Sequence, residues 1–421
     1  MSSSLPRWPL PASLRGAETG TFAHRSMTVR LPEIGRRILA ENNFSAQAAD
    51  QLQALVDDLP DGMVRDLQDR EAPDWAGWHQ YIAPYQGKNW LEGPWFFSET
   101  YFYRRVLEAT GYFRPGTGSG RDPYAYQKSQ GLEAFGSAIE ASCALVNAQL
   151  TDVQNTSREV LAEQLKALIL MNLWGNQVDL SLWPVGQSER PDHQDTTRQL
   201  THLLCDHVPQ VVEYLLGLKE MTCRVDILLD NAGLELVHDL LLADALLSSG
   251  LVRAVRLHAK AHPTFVSDAI LSDILDTMAY LEQMGKAETE TTVRRLREYL
   301  SLGKLQLRQH FFWTSPLSMW EMPGELRQEL GEAVLVISKG DANYRRLVGD
   351  RHWAFDTPLP GVLNYMPTAL LALRVSKSEV MIGLQTGQAQ SMDQCDPQWM
   401  TNGKWGLIQF YRNSPLTTSQ P

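Results

Sequence analysis

The sequence has 421 residues, of which 43% are hydrophobic and 21% charged, and this is typical of a globular protein with two or three domains. The formal net charge is −11, and the sequence contains no run rich in Lys and Arg. This argues against nucleic-acid binding, because affinity for a phosphate backbone needs clustered positive charge. No apolar stretch approaches the length of a membrane span, so we expect no membrane association. No feature indicates an obligate protein partner. A small anionic ligand is still compatible with this net charge, because a metal ion and nearby lysines can make a single pocket positive.

The cysteines indicate a reducing compartment rather than a disulfide or zinc scaffold. The four are far apart and form no C-x-x-C pair: Cys143, Cys205, Cys223 and Cys395. The first ten residues contain two prolines and no apolar run of the kind found in a secretory signal. We therefore predict a cytoplasmic protein, with the nucleus as an alternative location.

The first part of the chain predicts a loose arm followed by helices. Residues 1–28 are rich in Ser, Pro and Gly, so we expect a flexible arm. Residues 29–185 carry mostly helical patterns and form a predicted N-terminal helical domain. One predicted helix spans Glu99–Glu108 and ends at Gly111, while Thr156–Glu159 is typical of a capping box that begins another.

Residues 186–421 predict an α/β domain, after a linker or surface loop over 185–196. Strand-forming runs alternate with helical ones there, which favours a mostly parallel sheet covered by helices. The predicted strands are Val225–Leu229, Leu251–His258, Ala333–Ile337, Ala369–Val375, Val380–Leu384 and Leu407–Tyr411. The predicted helices among them are Glu235–Ser248 and Phe265–Gln283.

Polar side chains follow several of these strands, at the edge where open α/β sheets bind ligands. Asp230 and Asn231 come directly after the first strand, and Asp268 follows the second. Their carboxylate and amide oxygens are suitable ligands for Mg²⁺ or Mn²⁺. The same residue types also form turns and cap helices, so that structural interpretation stays open.

Two lysines near the ends of later strands would neutralise the oxygens of a phosphate. Lys339 follows the third predicted strand and Lys377 the fourth. Gly340 would let backbone N–H groups approach an anion closely. With the acidic set, these residues fit metal-assisted displacement at phosphorus, although Lys339–Asp341 alone is also typical of an ordinary turn.

Other candidate groups are interpreted as structural. His258 and His262 are possible metal ligands, but two unpaired histidines beside a proline more often have a structural role. Glu99 could reach the site from the helical domain, although a helix-surface carboxylate is the default interpretation. No P-loop and no G-x-S-x-G motif is present, and the glycine-rich segment Gly116–Gly120 follows no predicted strand.

Six segments, taken in their order, carry a resemblance to a known family: Ser98–Arg105, Leu173–Leu180, Leu229–Leu236, His262–Asp268, Lys339–Tyr344 and Lys404–Phe410. With them the chain resembles the damage-control phosphatase family, also called domain of unknown function 89. The match is to its large eukaryotic-type branch, which includes acidic-residue methyltransferase-like proteins. The resemblance runs from about Trp95 to Phe410, which is most of the chain.

The resemblance implies a fold and a set of site residues. The fold is a Rossmann-like α/β/α sandwich with a mostly parallel sheet and a helical N-terminal part. The metal site falls on Asp230, Asn231 and Asp268, with Mn²⁺ as the expected ion and Co²⁺, Ni²⁺ or Mg²⁺ as alternatives. The implied substrate-binding residues are Asn231, Lys339, Gly340, Asp341, Ala342, Asn343, Arg374 and Lys377. Val375 stands where the R-T-x-K motif of this branch has Thr, which puts the role of that hydroxyl in doubt.

The predicted function is that of a metal-dependent phosphatase acting on small phosphorylated metabolites, such as fructose 1-phosphate or fructose 6-phosphate, in metabolite damage control. Asp230 or Asp341 is expected to orient or deprotonate the attacking water. One alternative is an S-adenosylmethionine-dependent protein-glutamate carboxyl methyltransferase, although Gly233 is the only glycine where such enzymes have a glycine-rich loop. The other is a catalytically silent phosphometabolite-binding protein, suggested by the altered R-T-x-K motif.

Overall fold

The computed structural model describes residues 5–151, 156–175, 201–218 and 223–412. A seven-stranded sheet with the order β1-β7-β6-β5-β2-β3-β4 forms its centre. The strands are β1 Leu203–Asp206, β2 Arg224–Leu228, β3 Ala254–Lys260, β4 Leu305–His310, β5 Leu335–Lys339, β6 Ala369–Val375 and β7 Gly406–Tyr411. Strands β2 to β6 are parallel, whereas β7 is antiparallel to β6 and parallel to β1.

Helices of the described residues precede and connect these strands. They are α1 Phe22–Arg25, α2 Leu31–Glu41, α3 Ala46–Asp57, α4 Trp75–Ile82, α5 Trp95–Thr110, α6 Ala125–Glu133, α7 Gly136–Leu150, α8 Arg158–Trp174, α9 Val208–Leu216, α10 Leu234–Ser248, α11 Leu271–Gln283, α12 Ala287–Ser301, α13 Gly324–Gly331, α14 Gly340–Val348, α15 Leu359–Leu363 and α16 Gln388–Cys395. A π-helical turn, Ser26–Arg30, joins α1 to α2. None of the helices in these ranges is both long and apolar enough to cross a membrane.

Side chains alternate across the sheet and divide the interior into two apolar cores. In β5, Leu335 and Ile337 belong to one core and Val336 to the other. This follows from strand geometry, because successive side chains point to opposite faces. Helices α2 to α5 and α14 cover the Val336 face, and α7 to α12 cover the Ile337 face. The predicted fold class, an α/β sandwich around a mostly parallel sheet, is confirmed.

The predicted flexible arm needs correction from residue 5 onward. Leu14 and Met27 are buried, and Ser13 forms a bridge with Arg351. Leu14, Ala23 and Met27 belong to the first core, and their contacts hold this segment against the rest of the protein.

The predicted boundary between residues 185 and 186 lies outside the described residues, as does the loop predicted over 185–196. Helices α7 and α8 belong to the predicted N-terminal domain, yet Cys143 and Leu168 share one apolar core with Ile227 of the sheet. The apolar core is therefore continuous across the predicted boundary.

Most predicted elements are present with shifted ends. The helix predicted over Glu99–Glu108 lies within α5 and ends at Gly111, which has φ 74°. The predicted capping box is wrong by one residue, because Ser157 is the N-cap of α8 and its hydroxyl accepts a hydrogen bond from Val160 N at 3.3 Å.

Two further predictions are corrected. Residues 380–384 form no strand, and the helix predicted from Phe265 begins only at Leu271. Phe265 and Val266 have φ values of 47° and 68°, so the chain makes a turn there before the helix starts.

Candidate active site

A pocket opens at the carboxyl edge of the central strands. Its lining combines strand ends with the N-terminal helices: Phe22, Arg30, Trp95, Glu99, Asp230, Asn231, Phe265, Asp268, Asp341, Ala342, Arg345 and Lys377. Because the carboxyl ends of parallel strands meet at one edge, residues distant in sequence come together here.

The three predicted metal ligands form the acidic end of this pocket. Asp230, Asn231 and Asp268 are all buried, and a β-bridge joins Asn231 to Asp268. The amide Nδ2 of Asn231 donates to Asp230 Oδ2 at 3.1 Å and to Glu235 Oε2 at 2.8 Å. Its Oδ1 accepts from the Ser267 hydroxyl at 2.6 Å. This network holds the amide with its Nδ2 toward the carboxylates of Asp230 and Glu235 and its oxygen on the Ser267 hydroxyl.

The alternative role as helix caps is not what the structure shows. The N-cap of α10 is Gly233, and the N-cap of α11 is Ile270. Asp230, Asn231 and Asp268 therefore do not occupy the capping positions of the helices that follow them.

The charge at this acidic end favours a bound cation. Burial and the carboxylates of Asp268 and Glu235 raise the pKa of Asp230 well above its usual value. Two carboxylates and an amide oxygen are ligands that a hard divalent ion prefers, and its charge would relieve their repulsion. No cluster of three His, Cys, Asp or Glu suited to a metal occurs in the described ranges. A cation would therefore need the Asn231 oxygen and additional ligands from water or substrate.

Gly340 begins α14 and lies directly against Asp230. Its φ is 79°, and a Cβ atom at this position would lie 1.7 Å from Asp230 Oδ2. The absence of a Cβ atom at Gly340 therefore leaves space for the carboxylate of Asp230 beside the backbone.

Lys339 is not among the pocket residues of the described chain, so the pocket gives no support to its predicted contact with phosphate. The side chain is fully buried, and its Nζ donates to Glu235 Oε1 at 2.8 Å and to Asp239 Oδ1 at 2.9 Å. Burial alone would lower the pKa of Lys339, but Asp239 and Glu235 raise it above its usual value. The ammonium neutralises these two carboxylates behind the acidic end of the pocket.

Asp341 and Lys377 lie in the pocket as predicted, and Arg374 supports them. Arg374 Nε donates to Asp341 Oδ1 at 2.8 Å, and the same oxygen accepts from Lys377 N at 3.2 Å and from the Ser378 hydroxyl at 3.1 Å. Arg374 also donates to the carbonyl of Ser378 at 3.0 Å. Its guanidinium is absent from the pocket lining within the described residues, so it positions Asp341.

Asn343 holds the end of β2 rather than lining the pocket. Its Nδ2 donates to the carbonyls of Leu229 at 3.0 Å and Lys339 at 2.9 Å. Its Oδ1 accepts from Lys260 Nζ at 2.9 Å. Ala342 does line the pocket.

Val375 packs in the apolar core shared with Leu371 and Leu373, whereas Arg374 is directed to the opposite face of β6. A threonine hydroxyl at this position would therefore lie among apolar side chains, away from the pocket.

The two histidines have the structural role expected of them. His258 Nε2 lies 3.0 Å from Asp226 Oδ2, and His262 Nε2 lies 3.6 Å from Asp74 Oδ2. Neither histidine belongs to the pocket lining as the structure describes it.

The sequence interpretation left three charged residues of the pocket out of its predicted site, although it named Glu99 as one that could reach it. Glu99 is fully buried rather than on a helix surface, because every residue of α5 is buried. Arg345 lies one helical turn after Asp341 on α14, and that spacing was the available signal. Arg30 carried no comparable signal.

Comparison with known proteins identifies the family of this chain. Residues 26–392 match the model of the damage-control phosphatase ARMT1-like domain. The chain is 33% identical to damage-control phosphatase ARMT1 of Danio rerio, with 95% of this chain and 97% of that protein aligned. The corresponding human and mouse proteins are 30% and 31% identical, each over 95% of this chain and 98% of their own length.

A crystal structure of a DUF89 family protein from Pyrococcus horikoshii aligns with 91% of this chain and 96% of its own length, at 12% identity and a TM-score of 0.42. The family resemblance found in the six sequence segments is confirmed by the family model and the curated relatives. The chain therefore belongs to the ARMT1-like damage-control phosphatases.

Proposed function

We propose that this chain is a metal-dependent phosphomonoester hydrolase of small phosphorylated metabolites, with sugar phosphates such as fructose 1-phosphate or fructose 6-phosphate as its substrate class. The observation that carries the proposal is one pocket lined by the carboxylates of Asp230 and Asp268, by the amide of Asn231 and by Lys377. The curated relatives, which are named damage-control phosphatases, support the reaction class.

Asp230, Asn231 and Asp268 are the residues that would hold a divalent ion, with Mn²⁺ first and Co²⁺, Ni²⁺ or Mg²⁺ as alternatives. When bound, such an ion supplies positive charge to the phosphoryl group and makes a coordinated water more acidic. Burial first, and then the carboxylates of Asp268 and Glu235, raise the pKa of Asp230, although Lys260 and Lys377 act in the opposite direction. A cation bound there would favour the charged carboxylate.

The chain's own side chains supply the remaining steps. Lys377 offsets the negative charge that develops on the phosphoryl oxygens. Asp341 lines the pocket and is held through Oδ1 by Arg374 and Ser378, so it is placed to orient or deprotonate the attacking water. Asp230 is the alternative for that step. The N-terminal residues that line the pocket would limit the access of bulk water.

The test is phosphate release from a panel of sugar phosphates and nucleotides, each with one of the four metal ions or with a chelator. We expect release that needs metal and favours small sugar phosphates. Asp230→Asn should abolish it, whereas Asp244→Asn should not. Asp244 is a matched control, because it is a buried carboxylate paired with Arg295 at 2.5 Å and is not among the pocket residues of the described chain.

Two results would contradict the proposal. Substantial activity of Asp230→Asn with a normal metal requirement would remove Asp230 from the metal site. A folded wild-type protein that releases no phosphate with any of the four ions would overturn the phosphatase assignment, and S-adenosylmethionine binding would then be the next measurement.

A further inference from the structure

The N-terminal helices supply a second charged end of the pocket. Glu99 of α5 accepts hydrogen bonds from Arg30 Nη1 at 2.7 Å and from Arg345 Nη1 at 2.5 Å, one on each carboxylate oxygen. All three residues line the pocket together with the acidic residues at the strand ends. A carboxylate has about four acceptor positions, so two arginine bonds leave capacity for further donors.

Aromatic residues surround this second end. The Arg345 guanidinium lies 3.6 Å from the centre of the Trp95 ring, and Phe22 and Phe265 also line the pocket. The buried indole Nε1 of Trp95 has no hydrogen-bond acceptor among the described residues. A buried donor without an acceptor is costly, so a ligand oxygen beside Trp95 would remove that cost.

The two ends of the pocket suit different parts of a substrate. Lys377 and the metal-type residues attract a phosphate group. At the other end Arg30 and Arg345 offset the charge of Glu99, and Asp350 lies 2.8 Å from Arg345, so these paired groups carry no net formal charge. The part of the substrate near Glu99 is therefore uncharged. Hydroxyl groups fit, because each donates to a carboxylate and accepts from a guanidinium, while aromatic rings contact carbon-bound hydrogens.

We propose that Glu99, held by Arg30 and Arg345, is a specificity-determining residue that binds hydroxyl groups on the alcohol part of the phosphate ester. This inference rests on the proposed phosphatase function of the same pocket. Under this proposal, residues of the N-terminal helices select esters with several hydroxyl groups, and residues at the strand ends carry out the reaction.

A matched control exists on the same helix. Glu108 of α5 is also buried between two arginines, with Arg65 Nη2 at 2.6 Å and Arg105 Nε at 3.1 Å from its Oε2. It lines a separate cleft that includes Gln51 and Arg114. Glu99→Gln and Glu108→Gln thus make the same chemical change at two sites, only one of which faces the proposed substrate.

The experiment compares fructose 6-phosphate with p-nitrophenyl phosphate, which has no hydroxyl groups on its alcohol part, under the metal that gives the wild type its highest activity. Glu99→Gln should lower kcat/KM for the sugar phosphate roughly 10- to 100-fold, mainly through KM, as expected for a lost hydrogen bond to a charged group. Its kcat/KM for the aryl phosphate should stay within about twofold. Glu108→Gln should leave the ratio of the two substrates unchanged.

An equal loss on both substrates would show a structural role for Glu99 and overturn the inference. Unchanged selectivity of a folded Glu99→Gln protein would also overturn it while leaving the phosphatase function intact. If that variant does not fold, Arg30→Lys, which keeps the positive charge but loses the planar fork, is expected to reduce selectivity in the same direction.

Calorimetric binding separates this inference from the proposed function. Glu99→Gln should weaken binding of fructose 6-phosphate and leave binding of inorganic phosphate unchanged, even if the wild type shows no turnover. Equal binding of fructose 6-phosphate by wild type and variant would overturn the assignment of Glu99.

Discussion

Gly340→Ala is the substitution whose effect the structure defines most sharply. The new Cβ would lie 1.7 Å from Asp230 Oδ2, whereas ordinary contacts begin at 3.4 Å. The carboxylate of Asp230 would have to move by roughly the difference between these two distances, because the new Cβ is attached to the backbone of residue 340 and cannot move away. A displacement on the order of 1 Å in a catalytic group costs about 100-fold in rate, so we expect at least that loss in kcat.

The same substitution also strains the backbone, and this second effect needs its own control. A residue with a Cβ at φ 79° costs about 1–2 kcal/mol relative to glycine. Gly387 has φ 84° and no atom within 4 Å of the position of a Cβ, so Gly387→Ala carries the strain without the collision. Both variants should lose the free energy of unfolding that the backbone strain costs, and Gly340→Ala should lose more because of its collision with Asp230. Only Gly340→Ala should lose activity.

The assay is metal-dependent phosphate release at saturating substrate, with urea unfolding of each variant as the measure of stability. Activity of Gly340→Ala within about fivefold of wild type would refute the reasoning, because it would mean that Asp230 tolerates displacement. Similar activity losses in both variants would instead assign the effect to backbone strain.

Three further predictions concern charge, packing and metal. Lys339→Met leaves Glu235 and Asp239 buried without their cation and should cost about 3–5 kcal/mol in urea unfolding, against about 0.5 kcal/mol or less for Lys404→Met at an exposed position. Val375→Thr should cost about 1–3 kcal/mol, because its hydroxyl enters an apolar core, with no change in the ranking of substrates. Mn²⁺ at 100 times its Kd should raise the free energy of unfolding by about 2.7 kcal/mol. A chelator should reverse that gain, and Asp230→Asn should not show it.

The ends of the central strands could be predicted from the sequence, because an apolar run followed by polar residues is a local pattern typical of a buried strand and its end. β6 matches its prediction over Ala369–Val375, and Asp230 and Asn231 follow β2 as expected. β1 and β4 were not predicted, since both are edge strands with several half-buried or exposed residues and lack a continuous apolar run. The position of Arg30 in the pocket depends on how the N-terminal helices pack against the sheet, and no local sequence pattern predicts that packing.

Side chains in a strand point alternately to its two faces, and this distinguishes Lys339 from Lys377, to which the sequence interpretation gave the same role. Lys339 is two residues after Ile337 and therefore points to the same face, where α10 presents Glu235 and Asp239. Lys377 lies two residues beyond the end of β6, where alternation no longer applies, and the chain turns it into the pocket. A charged residue inside a parallel strand is thus expected to meet a helix that covers the sheet, while this alternation does not direct a residue just beyond the strand. By this rule Arg374, still inside β6, supports Asp341 from the opposite face, whereas Lys377 lines the pocket.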